Sequence, residues 1–389
     1  MPRTHKANID PTILVWARES AHMTLHAAAK RLKIPSITLE SWESGATQPS
    51  IAQLRKMGTL YKRAFVLFFL DTPPKDYPQI RDYRRVATDA INALSPRLAF
   101  EIRAAHQRRE AVLSLLEDLE LEVPSFNIRM TRVSNLERVA NECRLALSIP
   151  LATQFKWRSG SKAFANWRNA IENLGILVFQ AVRIPVNEMR GFSISEKQLP
   201  VISVNRADGY HGRIFSLFHE LGHILLRGEG LCTYDKVATD QASRETERLC
   251  NAFAGEMLVP SASLLSQSSV ATHSGNTWEN RDLSELASRY SVSREVILRR
   301  LLTLSKTSEA FYQLKRQEYL EEGEVASERL GKKEGFISPA MDVISASGKP
   351  LVRLAVSAYG DQKIGLAELS SVLGVGAKHI QKLTQMAFT

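Results

Sequence analysis

The stretch Arg213-Ile-Phe-Ser-Leu-Phe-His-Glu-Leu-Gly-His-Ile-Leu-Leu226 contains two histidines four residues apart with a glutamate between them. On an α-helix His219 and His223 project from one face and can bind a single zinc ion, while Glu220 faces a zinc-bound water. Apolar residues recur at three- and four-residue spacing, which predicts a helix rooted in a core: Ile214, Phe215, Phe218, Leu221, Ile224 and Leu225. The stretch therefore indicates a metallopeptidase, and the alternative is an amphipathic helix whose histidines only make hydrogen bonds.

A second helix is expected to supply a third ligand, because a catalytic zinc has three protein ligands and one open position. Residues 245–260 have a helical pattern in which Glu247 shares one stripe with small or apolar side chains, namely Cys250, Asn251, Ala254 and Leu258. A carboxylate on this inward face needs a partner. Glu245 and Glu256 are expected to face outward. We therefore predict that Glu247 is the third ligand.

Other ligands remain possible, with Glu245 as the first alternative and Asp235 and Asp240 in the connecting loop as further ones. In each case the sequence predicts one Zn²⁺ per chain. Zinc lowers the pKa of its bound water to about 7. Glu220 is then expected to accept the proton as hydroxide attacks a peptide carbonyl, and later to protonate the leaving amine.

The run Leu199-Pro-Val-Ile-Ser-Val-Asn205 predicts a strand upstream of the zinc helix. We expect it to form the sheet edge on which an extended peptide lies as an added strand. Tyr210 and His211 are candidates for stabilising the oxyanion, and a structural role is equally open for each.

The zinc segment resembles the ImmA/IrrE-type metallo-endopeptidases of bacteria and their phages. The resemblance rests on His219-Glu-Leu-Gly-His223 and on residues 247–260, which are similar to the family pattern E-x-x-A-N-x-F-A-x-x-L-L-M-P. Cys250 stands where alanine is usual and Val259 where methionine is usual. The resemblance implies that His219, His223 and Glu247 bind zinc and that Glu220 is the general base. Cys250 is either a small buried side chain or a redox-sensitive neighbour of the metal.

Residues 1–72 have the pattern of short helices joined by turns. Thr24 is expected to cap the second helix, and Leu39, Trp42 and Leu54 to be buried. The segment resembles the five-helix helix-turn-helix domain of the XRE (lambda-repressor-like) family. The resemblance implies that the third helix lies in the major groove, with an exposed face formed by Ser36, Ile37, Thr38, Glu40 and Ser41.

The charge of this segment supports a polyanionic partner only in part. Residues 1–70 carry ten Lys and Arg against four Asp and Glu, in a chain of net charge +10. The proposed reading helix, however, has no Arg, Lys, Gln or Asn for a bidentate base contact. Both operator DNA and a protein-docking or dimerisation role therefore remain open.

The whole sequence predicts a mainly α protein with a small α+β zincin-like peptidase domain, an all-α N-terminal domain and a helical C-terminal module. Five segments are expected: a helix-turn-helix domain (1–72), a helical linker (73–149), the peptidase domain (150–265), an accessory helical segment (266–335) and the C-terminal module (336–389). Arg103, Arg108 and Arg109 in the linker are expected on a solvated helical face, with nucleic-acid contact as the alternative. Trp157 and Trp167 are expected in the core.

Global composition is that of an ordinary globular protein, with 389 residues, 24% charged and 44% hydrophobic. Three cysteines fit a reducing compartment, and neither a membrane span nor a secretory signal is apparent, so a cytoplasmic location is expected.

Two hypotheses for the function follow. In the first, which the resemblance implies, a zinc endopeptidase regulates transcription by cutting an XRE-type repressor or an antitoxin at one site. In the second, the chain is an XRE-type transcription regulator or antitoxin whose zinc domain senses or docks without significant turnover. Operator DNA and a second copy of the chain are possible partners in either case.

Overall fold

A computed structural model describes residues 8–74, 95–226, 241–330 and 338–388. Within these ranges the chain forms two compact units, one of residues 8–74 and 95–106 and the other beginning at residue 107. The protein is mainly helical with a small three-stranded sheet, which confirms the predicted fold class. The division into five segments stays a prediction.

The first unit is built from short helices: Pro11–Glu19 (α1), Leu25–Leu32 (α2), Ser36–Glu43 (α3), Ile51–Tyr61 (α4) and a 3-10 helix at Phe65–Phe69. The Thr24 side chain accepts a hydrogen bond from the backbone of Ala27, as the sequence predicted for the cap of α2. The predicted core side chains Leu39, Trp42 and Leu54 are buried.

Helix Pro96–Asp118 (α5) follows, and two of its arginines, Arg103 and Arg109, correct the sequence prediction. Arg108 is half-buried, with its guanidinium 5.4 Å from the Phe179 ring centroid. Arg103 is 7% exposed and donates hydrogen bonds to the backbone carbonyls of Ser20 and Tyr61. Arg109, in the second unit, is 9% exposed and donates to the carbonyl of Leu199. Neither side chain lies on a solvated face, because each guanidinium satisfies carbonyl groups of its own unit.

The sheet of the second unit has three strands, Leu177–Ala181 (β1), Gly191–Ile194 (β2) and Val201–Asn205 (β3), in the order β1-β3-β2. β3 pairs parallel with β1 and antiparallel with β2. The strand predicted at residues 199–205 is therefore present, but the prediction that it forms an edge was wrong. Its five residues are all buried, so its apolar run reflects a central position.

The helices of the second unit up to residue 330 are Leu136–Ala146 (α6), Leu151–Gln154 (α7), Gly160–Asn173 (α8), Tyr210–Leu225 (α9), Gln241–Leu258 (α10), Ser261–Leu265 (α11), Ser268–Ala271 (α12), Asn280–Tyr290 (α13), Arg294–Thr303 (α14) and Glu309–Leu330 (α15). α9 packs against α10, α8 and β2. Trp157 and Trp167 are buried in this core in an edge-to-face pair, with ring centroids 5.1 Å apart.

The C-terminal segment contains Pro339–Gly360 (α16), Leu366–Leu373 (α17) and Ile380–Phe388 (α18). α16 packs against β1 and is kinked at Gly348, which has a φ of 83°. A Cβ there would lie 2.7 Å from a carboxylate oxygen of Glu172, so glycine is required by both conformation and space. Arg168 and Gln180 donate to the carbonyl of Ser345 and attach α16 to the sheet.

Among the described residues, no helix is both long enough and apolar enough to cross a membrane.

Candidate metal centre

Helix α9 carries the two histidines and the glutamate between them. The predicted apolar face is buried, with Phe218, Leu221 and Ile224 each at most 1% exposed. His219 is fully buried, Glu220 is 4% exposed and His223 is half-buried. The helical period therefore places the two imidazoles together on a face directed into the protein.

Helix α10 brings Glu247 to this face. His219 Nε2 lies 3.3 Å from Glu247 Oε2, and His223 Nε2 lies 3.1 Å from Glu247 Oε1. Glu247 is half-buried, whereas Glu245 is exposed and lies 3.7 Å from the exposed side chain of Arg132. Asp235 and Asp240, which the sequence also allowed as ligands, lie outside the described residues. The structure thus brings Glu247 to the histidines.

The three side chains fit a zinc ion. The two histidine Nε2 atoms are 3.2 Å apart, and ligand atoms from His219, His223 and Glu247 lie within 4.8 Å of one another. Zinc bonds about 2.0–2.2 Å long at tetrahedral angles place neighbouring ligand atoms roughly 3.4 Å apart, close to these separations. Glu247 Oε1 is also shielded from solvent, so the carboxylate needs a positively charged partner at this position. Three protein ligands leave a fourth position open.

Two side chains of α10, Asn251 and Cys250, contact the histidines. Asn251 Oδ1 lies 3.0 Å from His219 Nδ1, and since His219 Nε2 faces Glu247, we assign the ring proton to Nδ1 as the donor to Asn251. Cys250 is fully buried and hydrogen-bonds to His223. Cys250 also packs closely on Gly222, where a Cβ would lie 3.2 Å from its sulfur. The sequence placed both residues on the stripe of Glu247 but did not indicate which histidine each of them contacts.

The groups around Glu247 lower the pKa of its carboxyl group, which favours the ionised form that a metal binds. Burial alone would raise the pKa of Glu247, but hydrogen bonds with His219 and His223 lower it to about 2. Burial would lower the pKa of His223, yet Cys250, Glu247 and Glu220 together raise it well above its ordinary value. Glu247 is therefore ionised at neutral pH, as a carboxylate ligand of a metal must be.

Strand β2 positions Glu220. The hydroxyl of Ser193 donates to Glu220 Oε2 across 3.0 Å. A Cβ at Gly191 would lie 3.2 Å from both Cγ and Oε1 of Glu220, a tight contact, so the strand approaches the carboxylate closely at this glycine. Sequence reasoning missed Gly191 and Ser193, because a four-residue strand carries no motif that connects it to the zinc helix.

Tyr210 and His211 lie at the start of α9, beside α8. The Tyr210 ring centroid is 6.3 Å from that of Phe164, and the Arg213 guanidinium lies 4.5 Å from the Tyr210 ring centroid. The rise of 1.5 Å per residue places His211 about 12 Å from His219 along the helix axis. This placement favours a structural role over oxyanion stabilisation for both residues.

The prediction that Glu256 faces outward was wrong. Its side chain is buried, forms an ion pair with Arg300 of α14, and accepts a hydrogen bond from the backbone nitrogen of Ser261 across 2.8 Å. A single helix gave no sign of this, because Arg300 lies 44 residues further along the chain.

The predicted DNA-reading residues lie on α3 in the first unit. Ile37 is 74% exposed, whereas Ser36, Thr38 and Ser41 are half-buried. The Ser41 hydroxyl is hydrogen-bonded to that of Thr47 at 2.7 Å. The face is therefore present, and a DNA contact there stays a prediction.

A family model matches the part of the chain that carries this site. The family model of the IrrE N-terminal-like domain, Peptidase_M78, matches residues 171–302, which include the sheet, α9, α10 and the helices up to α14. The match supports the resemblance of this domain to ImmA/IrrE-type peptidases, and the family is one of zinc-dependent metallopeptidases. No curated protein and no solved structure matches the chain. The likeness of the N-terminal segment to the XRE family stays a prediction.

Proposed function

We propose that this protein is a zinc-dependent endopeptidase that regulates transcription by site-specific cleavage of a repressor or antitoxin protein. The main observation in support of this proposal is the position of Glu220. Its side chain is buried between the proposed ligands and strand β2, and it accepts a hydrogen bond from Ser193. A purely structural zinc site has no use for a general base held in this way.

Each residue of the site has a distinct role in the proposed reaction. His219, His223 and Glu247 would hold zinc, which when bound acts as a Lewis acid toward water and the substrate carbonyl. Glu220 takes the proton from the attacking water and delivers it to the leaving amine. Asn251 keeps His219 in the tautomer whose unprotonated Nε2 would bind the metal, and Ser193 orients the carboxylate of Glu220.

Strand β2 offers the substrate an edge. The backbone nitrogen of Asn205 donates to the carbonyl of Arg190, and hydrogen-bonded and non-bonded pairs alternate along antiparallel strands. Gly191 and Ser193 therefore direct their backbone N–H and C=O groups away from β3, toward an edge that no described strand occupies. A substrate segment added here as a strand would lie beside Glu220.

The test is a comparison of protein termini in cells producing the wild-type protein or Glu220→Gln. We expect new N-termini within one repressor or antitoxin only with the wild type, and the same cut with the purified pair. Native mass spectrometry of the wild type and of Glu247→Ala gives an independent readout, with one zinc expected in the former and little in the latter. One zinc without any cleavage would favour a regulator whose metal domain senses or docks.

The second candidate function is that regulator, an XRE-type DNA-binding protein or antitoxin with little turnover. The exposed α3, with Ile37 projecting from it, is the observation that favours it. If Glu220→Gln regulates normally in cells while changes on α3 abolish regulation, the second function replaces the first.

A further inference from the structure

Residues 349–388 form a small three-helix unit at the end of the chain. The part of α16 beyond the kink packs against both α17 and α18. Their apolar side chains form a common core, with these residues each at most 8% exposed: Leu351, Val352, Ala355, Ala358, Ile364, Leu369, Leu373, Val375, Ile380, Leu383 and Ala387. Arg353 also donates a hydrogen bond to the carbonyl of Ala387 across 2.7 Å.

The connection between α17 and α18 is a tight turn. Gly374 ends α17 in the left-handed conformation with a φ of 62°, and the backbone nitrogen of Val375 donates to the carbonyl of Ser370. The next helix begins as a 3-10 turn at Ala377–His379 and continues directly into α18. A helix, a short turn and a second helix packed on a third are also the parts of DNA-binding helix-turn-helix units, in which the second helix enters the major groove.

The outer face of α18 is formed by lysine and glutamine side chains. Lys378, Gln381, Lys382 and Gln385 recur at spacings of three and four residues, so they share one face, and all four are exposed. This face has no acidic side chain. Lysine binds guanine edges and phosphates, and glutamine pairs with the N6 and N7 atoms of adenine. Residues 349–388 carry five Lys and Arg against two Asp and Glu.

Two other helix pairs in the chain allow a direct comparison. In each pair a residue with positive φ ends the first helix: Lys33 after α2, Ser291 after α13 and Gly374 after α17. The outer face of α18 is formed by the residues that lie 4, 7, 8 and 11 positions after the turn residue Gly374. The same positions in α3 are Ile37, Glu40, Ser41 and Ser44, and in α14 they are Glu295, Leu298, Arg299 and Leu302.

Of these three helix pairs, only the C-terminal one has an outer face that is exposed throughout and carries side chains suited to contact DNA bases. The face on α3 is apolar, acidic or hydroxylic, and it offers no side chain with two donors or a positive charge. The face on α14 is partly covered, because Leu298 is fully buried and α14 packs against α10. Its exposed Arg299 is paired with Glu295 and hydrogen-bonded to Tyr312. Lys378 and Lys382 therefore lie on the one of these helices that a major groove can accept.

We propose that residues 349–388 bind double-stranded DNA, with α18 in the major groove. Lys378 and Lys382 contact phosphates and guanine edges, and Gln381 and Gln385 read adenines. This assigns the DNA contact to the C-terminal module rather than to α3, and it does not depend on peptidase activity.

The test uses the full-length protein and fluorescence anisotropy with a labelled 30-base-pair duplex of mixed sequence, at several salt concentrations. The variants are Lys378→Ala/Lys382→Ala and Gln381→Ala/Gln385→Ala. The matched control, Lys156→Ala/Lys162→Ala, removes two exposed lysines from the metallopeptidase part of the chain. Selection from a random duplex library measures sequence preference, and circular dichroism verifies that each variant is folded.

We expect the wild type to bind the duplex in a salt-dependent manner. Lys378→Ala/Lys382→Ala should weaken binding at least tenfold and reduce the slope of log K against log salt by about 2, because each lost phosphate contact contributes roughly 0.9. Gln381→Ala/Gln385→Ala should lose the selected adenine preference while keeping salt-dependent affinity. The control should bind like the wild type.

Three results would overturn the proposal. The wild type could fail to bind duplex DNA at 50 mM salt, the two lysine pairs could weaken binding equally, or single-stranded RNA could bind better than the duplex. None of these results bears on cleavage, so the proposed peptidase function would stand or fall separately.

Discussion

The hydroxyl of Ser193 on β2 donates a hydrogen bond to Oε2 of Glu220 on α9 across 3.0 Å. The contact joins the edge strand to helix α9 and fixes the carboxylate relative to the backbone groups that would hold a substrate. The position of the proposed general base thus depends on a strand that contributes no metal ligand.

Replacing Ser193 with alanine should lower the turnover number about tenfold or more while leaving zinc content unchanged. A hydrogen bond to a charged group contributes roughly 1.5–3 kcal/mol, and 1.4 kcal/mol corresponds to a tenfold change in rate. The measurement is the cleavage rate on the substrate found by terminus mapping, together with native mass spectrometry. Ser193→Thr keeps the hydroxyl and should retain most activity. Full activity in Ser193→Ala would show that Glu220 is positioned by other contacts.

Replacing Gly191 with alanine should displace Glu220 sterically. The added Cβ would lie 3.2 Å from Cγ and Oε1 of Glu220 and 3.2 Å from the carbonyl oxygen of Ser203, so the flexible carboxylate is the group that moves. We expect at least a tenfold loss of cleavage rate with zinc still bound. Gly209→Ala is the matched control, because nothing lies within 4 Å of a Cβ there. Equal rates for the two variants would argue against the close approach of β2.

Replacing Asn251 with alanine should weaken zinc binding about 10- to 100-fold, the usual cost of losing a partner that orients a ligating histidine. Its Oδ1 holds the proton on His219 Nδ1, and without it the ring can rotate or change tautomer. Competition with a chromophoric chelator measures the affinity. Asn251→Asp keeps an acceptor at this position and should bind zinc more tightly than Asn251→Ala. The prediction is wrong if alanine leaves the affinity unchanged.

Cys143 and Cys250 should resist alkylation in the folded protein. Burial raises the pKa of Cys143 to about 12, and burial also raises the pKa of Cys250 against the opposing effect of His223. The thiolate is the reactive form, and for a thiol of pKa 12 it amounts to roughly one part in ten thousand at pH 8. Iodoacetamide at pH 8 followed by peptide mass spectrometry should label both only after guanidinium unfolding. Rapid labelling of native Cys250 would instead favour a redox-sensitive residue.

Removing Glu256 should destabilise the second unit strongly, because Arg300 would then be a buried charge without its carboxylate partner. Breaking a buried ion pair on one side costs about 3–5 kcal/mol. We expect Glu256→Ala to lower the midpoint of guanidinium unfolding followed by tryptophan fluorescence. Glu256→Ala/Arg300→Ala should be less destabilised than the sum of the single variants. Glu285→Ala breaks the exposed pair with Arg281 and should leave the midpoint unchanged.

Local periodicity explains most of what could be predicted. The spacing of His219, Glu220 and His223 on one helical face depends only on 3.6 residues per turn, and the apolar residues around them identify the buried side. The mainly α fold class and the cap at Thr24 also follow from patterns of a few residues.

Tertiary structure decided what local patterns left open. The sequence by itself determined a helix that carries two histidines and the proposed base close together, since those residues are neighbours on one element. It did not determine that Glu256 is buried, that β3 is central, or that Ser193 and Asn251 contact Glu220 and His219. These contacts join residues that lie 27 to 44 positions apart in the chain. Which face of a helix or which side of a strand is covered depends on the elements that pack against it, and no local period encodes that packing.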